Sequence, residues 1–210
     1  MGRNKLRRSS VKIETLFLDI GGVILDPDKR FWDRLETEHG VASGAEELFY
    51  GEEGPWHACK TGQITYDDYV TKMAVQLGLE RRLLAELRAE LEWVVIDPMV
   101  EWVRKVKAHH KPLIIALSNA DTTLEERLVT LRLEDLFDHV INSARVGLAK
   151  PDPEIYRLAM TYTPSLPSAC LFVDDRERNM PAPQELGMHT VVYRGFEDFS
   201  QAVHPYFAFD

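Results

Sequence analysis

Three short apolar runs in this chain each stop abruptly on polar residues. Leu16-Phe17-Leu18 stops on Asp19, Leu113 to Leu117 on Ser118-Asn119, and Cys170 to Val173 on Asp174-Asp175. All are short enough to be strands, and unbroken apolarity means burial on both faces, as in a parallel sheet covered by helices. Between them the text is helical. Met99 to Ala108 and Thr122 to Leu131 carry helical spacing, and Asp152-Pro153 reads as an N-cap followed by proline at the first helical position. The first strand is expected over Val11 to Leu18, brief strands at Val140-Ile141 and His189 to Tyr193, and a helix at Pro183 to Leu186. This alternation predicts an α/β fold with a Rossmann-like parallel sheet core covered by helices. Such sheets bind ligands at the carboxyl ends of their strands, where the polar residues fall.

The interval from Pro27 to Asp97 has a different texture. Phe31, Trp32 and Leu35, then Tyr69, Met73 and Leu77, then Leu83, Leu84, Leu87 and Leu91 keep helical spacing between glycine breaks. The predicted organisation is a Rossmann-like core of residues 13–26 and 97–210 with a small helical subdomain, residues 27–96, inserted in it. Trp32, Trp93 and Trp102 read as core residues of apolar helical stretches. Residues 1–12 form a basic tail with Arg3, Lys5, Arg7, Arg8 and Lys12, read as a solvated segment rather than a signal peptide.

Charge and composition exclude several classes. Among 210 residues, 25 basic side chains face 34 acidic ones, a formal net charge of -9, which disfavours a nucleic-acid module. No apolar run approaches a membrane span, so no membrane partner is expected. Cys59 and Cys170 supply neither a disulfide framework nor a zinc spacing, and a reducing, cytoplasmic setting is expected. His109-His110 reads as a charge pair at a helix C-terminus rather than a metal site.

The strand-end residues complement one another. A carboxylate at Asp19, immediately after a buried strand and backed by Gly21 and Gly22, can attack phosphorus while the glycine amides approach an anion. Ser118 and Asn119 can hydrogen-bond phosphoryl oxygens, Lys150 can offset developing charge, and Asp174-Asp175 can hold Mg2+ through hard oxygen donors.

Four stretches in this order, LFLDIGGVILD (Leu16 to Asp26), IIALSNA (Ile114 to Ala120), GLAKPDPEIY (Gly147 to Tyr156) and LFVDDRERN (Leu171 to Asn179), resemble the haloacid-dehalogenase-like hydrolases. The match is to phosphatase-type members with a small helical cap and Asp-x-Gly-Gly in the first motif. The resemblance implies a Mg2+-dependent phosphatase in which Asp19 forms an aspartyl-phosphate, Ser118 binds phosphate, and Lys150 stabilises charge. It also implies Asp19, the Gly21 carbonyl, Asp175 and Asp174 around the metal, with Asn179 behind them. The substrate is then a small phosphorylated metabolite, a sugar phosphate first; monomer or homodimer stays open.

One position departs from the family pattern. Most of its phosphatases carry aspartate two residues after the nucleophile as general acid and base, a contribution of about 10² to 10⁴ in rate; here that residue is Gly21. The alternatives are a catalytically weak or silent member serving as a binding or interaction module, and a dehalogenase, against which both Gly21 and the acidic pair speak. Asp26, seven residues after Asp19, is a candidate for positioning substrate or assisting proton transfer. In the cap, WHACKTGQI (Trp56 to Ile64) resembles a family segment, which makes His57 a candidate cleft residue, with Lys60 and Tyr66 behind it. Arg176 and Arg178 are expected at the cleft rim, or as partners of the neighbouring acids.

Overall fold

The structure, a computed structural model, describes residues 12–51, 54–91 and 93–209; the tail cations other than Lys12 lie outside them. After β1 (Thr15–Leu18) the chain leaves through β2 (Leu25–Pro27) into five helices: α1 (Lys29–His39), α2 (Ala45–Tyr50), α3 (Pro55–Lys60), α4 (Tyr66–Leu77) and α5 (Arg81–Leu91). It returns through β3 (Trp93–Val95), antiparallel to β2 with Asp26 opposite Val94. Then follow α6 (Asp97–His109), β4 (Leu113–Ser118), α7 (Leu124–Thr130), β5 (His139–Asn142), α8 (Ser143–Val146) and α9 (Pro153–Met160). The chain finishes with β6 (Cys170–Asp174), α10 (Pro181–Glu185), β7 (His189–Val192) and α11 (Phe196–Val203).

The main sheet is parallel throughout, in the order β5-β4-β1-β6-β7. Its strands bury both faces by simple alternation. Leu16, Leu18, Ile114, Ala116, Leu171 and Val173 join one cluster, with Met99, Val103 and Phe199 of the helices on that side. Phe17, Ile115, Leu117, Cys170 and Phe172 join the other, against Ile155 and Tyr156. This is the α/β architecture expected from the sequence, with the helical insertion where the texture changes. Leu18 stands level with Ala116 and Val173, so the three central strands end side by side.

The insertion has its own core of Phe31, Leu35, Phe49, Tyr69, Met73, Leu84 and Leu87. Arg88 is buried among these rings, its guanidinium 5.2 to 5.3 Å from the centroids of Phe49, Tyr66 and Tyr69. Helix α4 starts on a capping box of Thr65 and Asp68. No described helix is long and apolar enough to cross a membrane.

Local differences from the expected elements have physical causes. The first strand begins at Thr15 rather than Val11, a residue outside those described; β4 and β6 supply partners from Thr15 onward. Helix α10 starts at Pro181, two residues before the expected start, because proline is well suited to the first turn. Trp93 lies in a strand and is half-buried, as is Trp32, whereas Trp102 is in the core.

Candidate active site

The carboxyl ends of β1, β4 and β6 deliver Asp19, Ser118 and Asp174 to one floor. Asp19 continues the pairing of its strand, donating its N–H to the Val173 carbonyl at 2.9 Å. Lys150, only 1% exposed, reaches into this floor: its Nζ is 2.6 Å from Asp174 Oδ2 and 2.9 Å from Asp19 Oδ2. The remaining oxygen of Asp19 accepts from the Ile20 N–H at 2.7 Å, and that of Asp174 from Arg176 N–H and Asn179 Nδ2 at 2.9 and 2.8 Å. Asp174 is therefore fully engaged, as the post that holds lysine and loop together.

The neighbouring residues divide their tasks differently from the sequence expectation. Asn119 grips the lysine loop in both directions, its Nδ2 donating to the Lys150 carbonyl and its Oδ1 accepting from Lys150 N–H, each at 2.8 Å. Its side chain positions the lysine, a different task from the expected phosphate contact. The Gly22 N–H donates to the Leu25 carbonyl at 2.7 Å and so is not the phosphate donor expected. Gly22 instead has φ +74°, and a Cβ there would sit 2.7 Å from Asp175 Cγ; only glycine lets this carboxylate come so close. Gly21 is the reverse case, with open space where its Cβ would be.

Buried charges at this density perturb one another. Burial, with Asp174 and Asp175 adding to it, pushes Asp19 up to about 7 against the pull of Lys150. Burial likewise raises Asp175, again helped by Asp174. Burial opposes charge on Lys150 and Asp174 too, but their contact outweighs it, holding the ammonium above its ordinary value and the Asp174 carboxylate below. One carboxylate oxygen from each of Asp19, Asp174 and Asp175 can be chosen so that all three lie within 4.8 Å of one another. Asp175 Oδ1 and Asn179 Oδ1 are buried with no hydrogen-bond partner among the described residues, acceptors that want a cation or donor.

Above this floor the cleft, a cavity of about 90 Å³, is roofed by the insertion. Tyr50, Trp56 and Lys60 line it from α2 and α3, Trp93 from β3, and Arg176 and Arg178 from the loop after β6. Asp121 and Arg127 line it from the loop after β4 and from α7, 3.1 Å apart. The aromatic residues and the Asp121–Arg127 pair escape sequence reading as site residues. The one signal for Asp121 is its place two residues past Asn119, in the same strand-end loop.

Three expected residues lie elsewhere. His57 is on the exposed flank of α3, facing a hollow beside Gly147 and Asp152 rather than the cleft, because helical spacing turns it away when Trp56 and Lys60 face inward. Asp26 is exposed on β2, where its field reaches Tyr193. Tyr66 accepts from Arg88 Nε at 2.9 Å in the helical insertion.

The chain is similar to several known proteins in sequence and fold. A D-ribitol-5-phosphate phosphatase of Bacteroides thetaiotaomicron is 25% identical over 204 residues, 90% of this chain and 96% of that protein. Acyl-CoA dehydrogenase family member 10 of Mus musculus is 24% identical over 189 residues, 84% of this chain but 17% of its own length. For three relatives, that mouse protein among them, the chain spans 17% to 63% of their length. In fold, the chain is similar to a HAD family enzyme of Bacteroides thetaiotaomicron crystallised with magnesium and inorganic phosphate. The TM-score is 0.73 at 22% identity, over 90% of this chain and 98% of that one. Residues 13–187 match the family model of haloacid dehalogenase-like hydrolases, and the chain belongs to that family.

Proposed function

We propose that this hydrolase is a magnesium-dependent phosphatase of the Asp-x-Gly-Gly subgroup, acting on a small phosphorylated metabolite with Asp19 as nucleophile. The observation that carries this reading is the buried floor of the cleft, where one lysine amine lies within 2.9 Å of two strand-end carboxylates and a third carboxylate stands beside them. We take residues 27–96 as the cap over a core of 13–26 and 97–210, with 1–12 as a tail.

The donors fit a hard divalent cation: three convergent carboxylates, among them Asp175, whose buried Oδ1 has no partner among the described residues, and the Asn179 Oδ1, likewise without one. Asp19, Asp175 and the Gly21 carbonyl would hold Mg2+, with Asp174 beside them and Asn179 behind. Bound there, the ion supplies charge neutralisation at the phosphoryl oxygens. Asp19 attacks phosphorus through a carboxylate oxygen, the ester P–O bond breaks, the leaving alkoxide takes a proton from solvent water to depart as the alcohol, and an aspartyl-phosphate forms. Water then attacks the same phosphorus and gives up a proton to solvent, the Asp19–phosphorus bond breaks, the Asp19 carboxylate is restored, and phosphate leaves. Ser118 and the Gly21 amide orient the phosphoryl oxygens, and Lys150 offsets their charge. Arg176 and Lys60 face the organic part of the substrate. Among the described residues lining the cleft, Asp19, Asp121 and Asp175 are the only carboxylates. Asp121 is tied to Arg127, so none of these described carboxylates replaces the acid missing at Gly21.

A sugar phosphate is the favoured substrate, supported by the similarity to the bacterial D-ribitol-5-phosphate phosphatase. The acidic balance of the chain supports a small-molecule partner over nucleic acid. Phosphate release from a panel of sugar phosphates, with and without Mg2+, tests this reading against Asp19→Asn. Mg2+-dependent release that falls by at least about 10³-fold in the variant is expected for loss of a nucleophile. No release from the native chain for any substrate would leave the silent, ligand-binding alternative.

A further inference from the structure

The strand beside Ser118 ends on a polar pair of its own. β5 runs level with β4, Ile141 against Leu117 and Asn142 against Ser118. Asn142 then caps α8, its Oδ1 accepting from the Ala144 N–H at 3.0 Å, a position that asparagine favours. The helix is one turn long, yet it meets the loop after β4 residue by residue. Asn142 Nδ2 donates to the Asp121 carbonyl at 2.8 Å, and the Arg145 guanidinium to the Thr122 carbonyl at 2.7 Å. Ser143 Oγ accepts from the Ala120 N–H at 3.0 Å and donates to the Ala120 carbonyl at 3.3 Å. With Asn119 bonded to both backbone groups of Lys150, four consecutive residues after Ser118 are held from outside their own loop.

Ser143 differs from the other two holders. Arg145 is exposed, and Asn142 also caps a helix and donates to Glu125. Ser143 is fully buried and, among the described residues, its hydroxyl bonds Ala120 alone. The Ala120 N–H belongs to the peptide plane shared with Asn119, and its carbonyl to the plane shared with Asp121. One hydroxyl that bonds both fixes the two planes against each other, directly after the residue that orients Lys150 and two after Ser118. Helix α8 is braced in turn. Gly147 closes it with φ +72°, its N–H donating to the Ser143 carbonyl at 2.8 Å, three residues before Lys150. From the insertion, Gly62 comes so close to α8 that a Cβ there would overlap the Ala144 carbonyl oxygen.

We propose that Ser143 is a positioning residue of the active site, holding Ser118 in register with Lys150 so that both meet the same phosphoryl group. It does not line the cleft and acts only through the loop. A side chain that works on the phosphoryl end is blind to the organic part of the substrate, so every ester feels its loss alike. The assignment rests on the phosphatase reading above, and deepens it by naming what keeps the phosphate-binding hydroxyl in place.

Steady-state kinetics of the native chain, Ser143→Ala, Ser118→Ala and the double variant, on D-ribitol 5-phosphate and phenyl phosphate with Mg2+, test this. Ser143→Ala should lower kcat by about 10- to 100-fold, alike on both esters, with KM within about threefold, the pattern of a misplaced group at the reacting centre. In the Ser118→Ala background the same substitution should cost less than about threefold, because residues that act as a unit are not additive. Three results overturn the proposal while leaving the phosphatase reading intact: a Ser143→Ala chain, folded by circular dichroism, that loses thermal stability but keeps the native kcat; unequal losses on the two esters; or losses that multiply in the double variant. Should Ser143→Ala not fold, Ser143→Cys, which puts a weakly bonding thiol in the same place, carries the same comparisons. If the native chain releases phosphate from neither ester, the phosphatase reading fails and the assignment with it.

Discussion

Gly21 and Gly22 are neighbours of the same type with opposite reasons for being glycine. Gly22 is confined by its positive φ and by Asp175, whereas a side chain at Gly21 would meet nothing within 4 Å. The missing acid is therefore a choice of side chain that the backbone does not impose. Gly21→Asp should fold normally and place a carboxyl in the cleft. For alkyl phosphates, whose alkoxides need a proton, kcat should rise by about 10²; phenyl phosphate, with its better leaving group, should gain much less. Equal gains on both esters in steady-state assays would mean that leaving-group protonation does not limit the native enzyme. The sequence makes the absence of the acid plain at a glance, but the room left for it depends on how Asp175 and the insertion pack around the turn, which no single-chain pattern encodes.

Helix α7 does double duty, covering the sheet with Leu124 and Leu128 and pinning the strand-end loop with Arg127. Burial opposes the Asp121 carboxylate, but Arg127 and the Thr123 donors outweigh it and hold Asp121 below its ordinary value. A depressed carboxylate contributes stability that is present above its unfolded value near 4 and is lost as pH falls through the lower, folded one. Asp121→Asn should consequently unfold about 3 kcal/mol more easily at pH 7, the scale for breaking a buried pair. Denaturant titrations should show the gap between variant and native chain closing below about pH 4; a gap of constant size would sever the pair from the acid limb. Elements of this kind explain what the sequence does and does not reveal. The strands β1, β4 and β6 are legible because two-sided burial writes them as unbroken apolar runs. Strands β2 and β3 have three residues each and no such signature, so the expected helical stretch ran through Trp93. An aromatic residue facing a cavity has the same spacing as one facing a core, which is why Tyr50 and Trp93 were indistinguishable from packing residues.

At the scale of the whole molecule, three carboxylates at the end of one sheet are a standing repulsion that one lysine only partly relieves. A cation bound there stabilises the folded chain by mass action, about 2.7 kcal/mol at a hundred times its dissociation constant. For a chain of this size that is a rise in Tm of roughly 5 to 10 °C. Calorimetry with and without Mg2+ should show it in the native protein. Gly22→Ala, whose Cβ would displace the Asp175 carboxylate, should lose most of the rise as well as some intrinsic stability. A full Mg2+ shift in that variant would mean that Asp175 is not a ligand.

The chain enters and leaves the helical insertion on adjacent strands of one short ribbon, Leu25 opposite Val95 and Pro27 opposite Trp93. The two ends of the insertion are therefore close together, and the parallel sheet never has to register what is carried between them. Selection can lengthen, exchange or rebuild that segment as a cassette while the strand order, the buried lysine and the acidic floor are inherited intact. Diversity of substrate and constancy of chemistry become separable traits of one polypeptide.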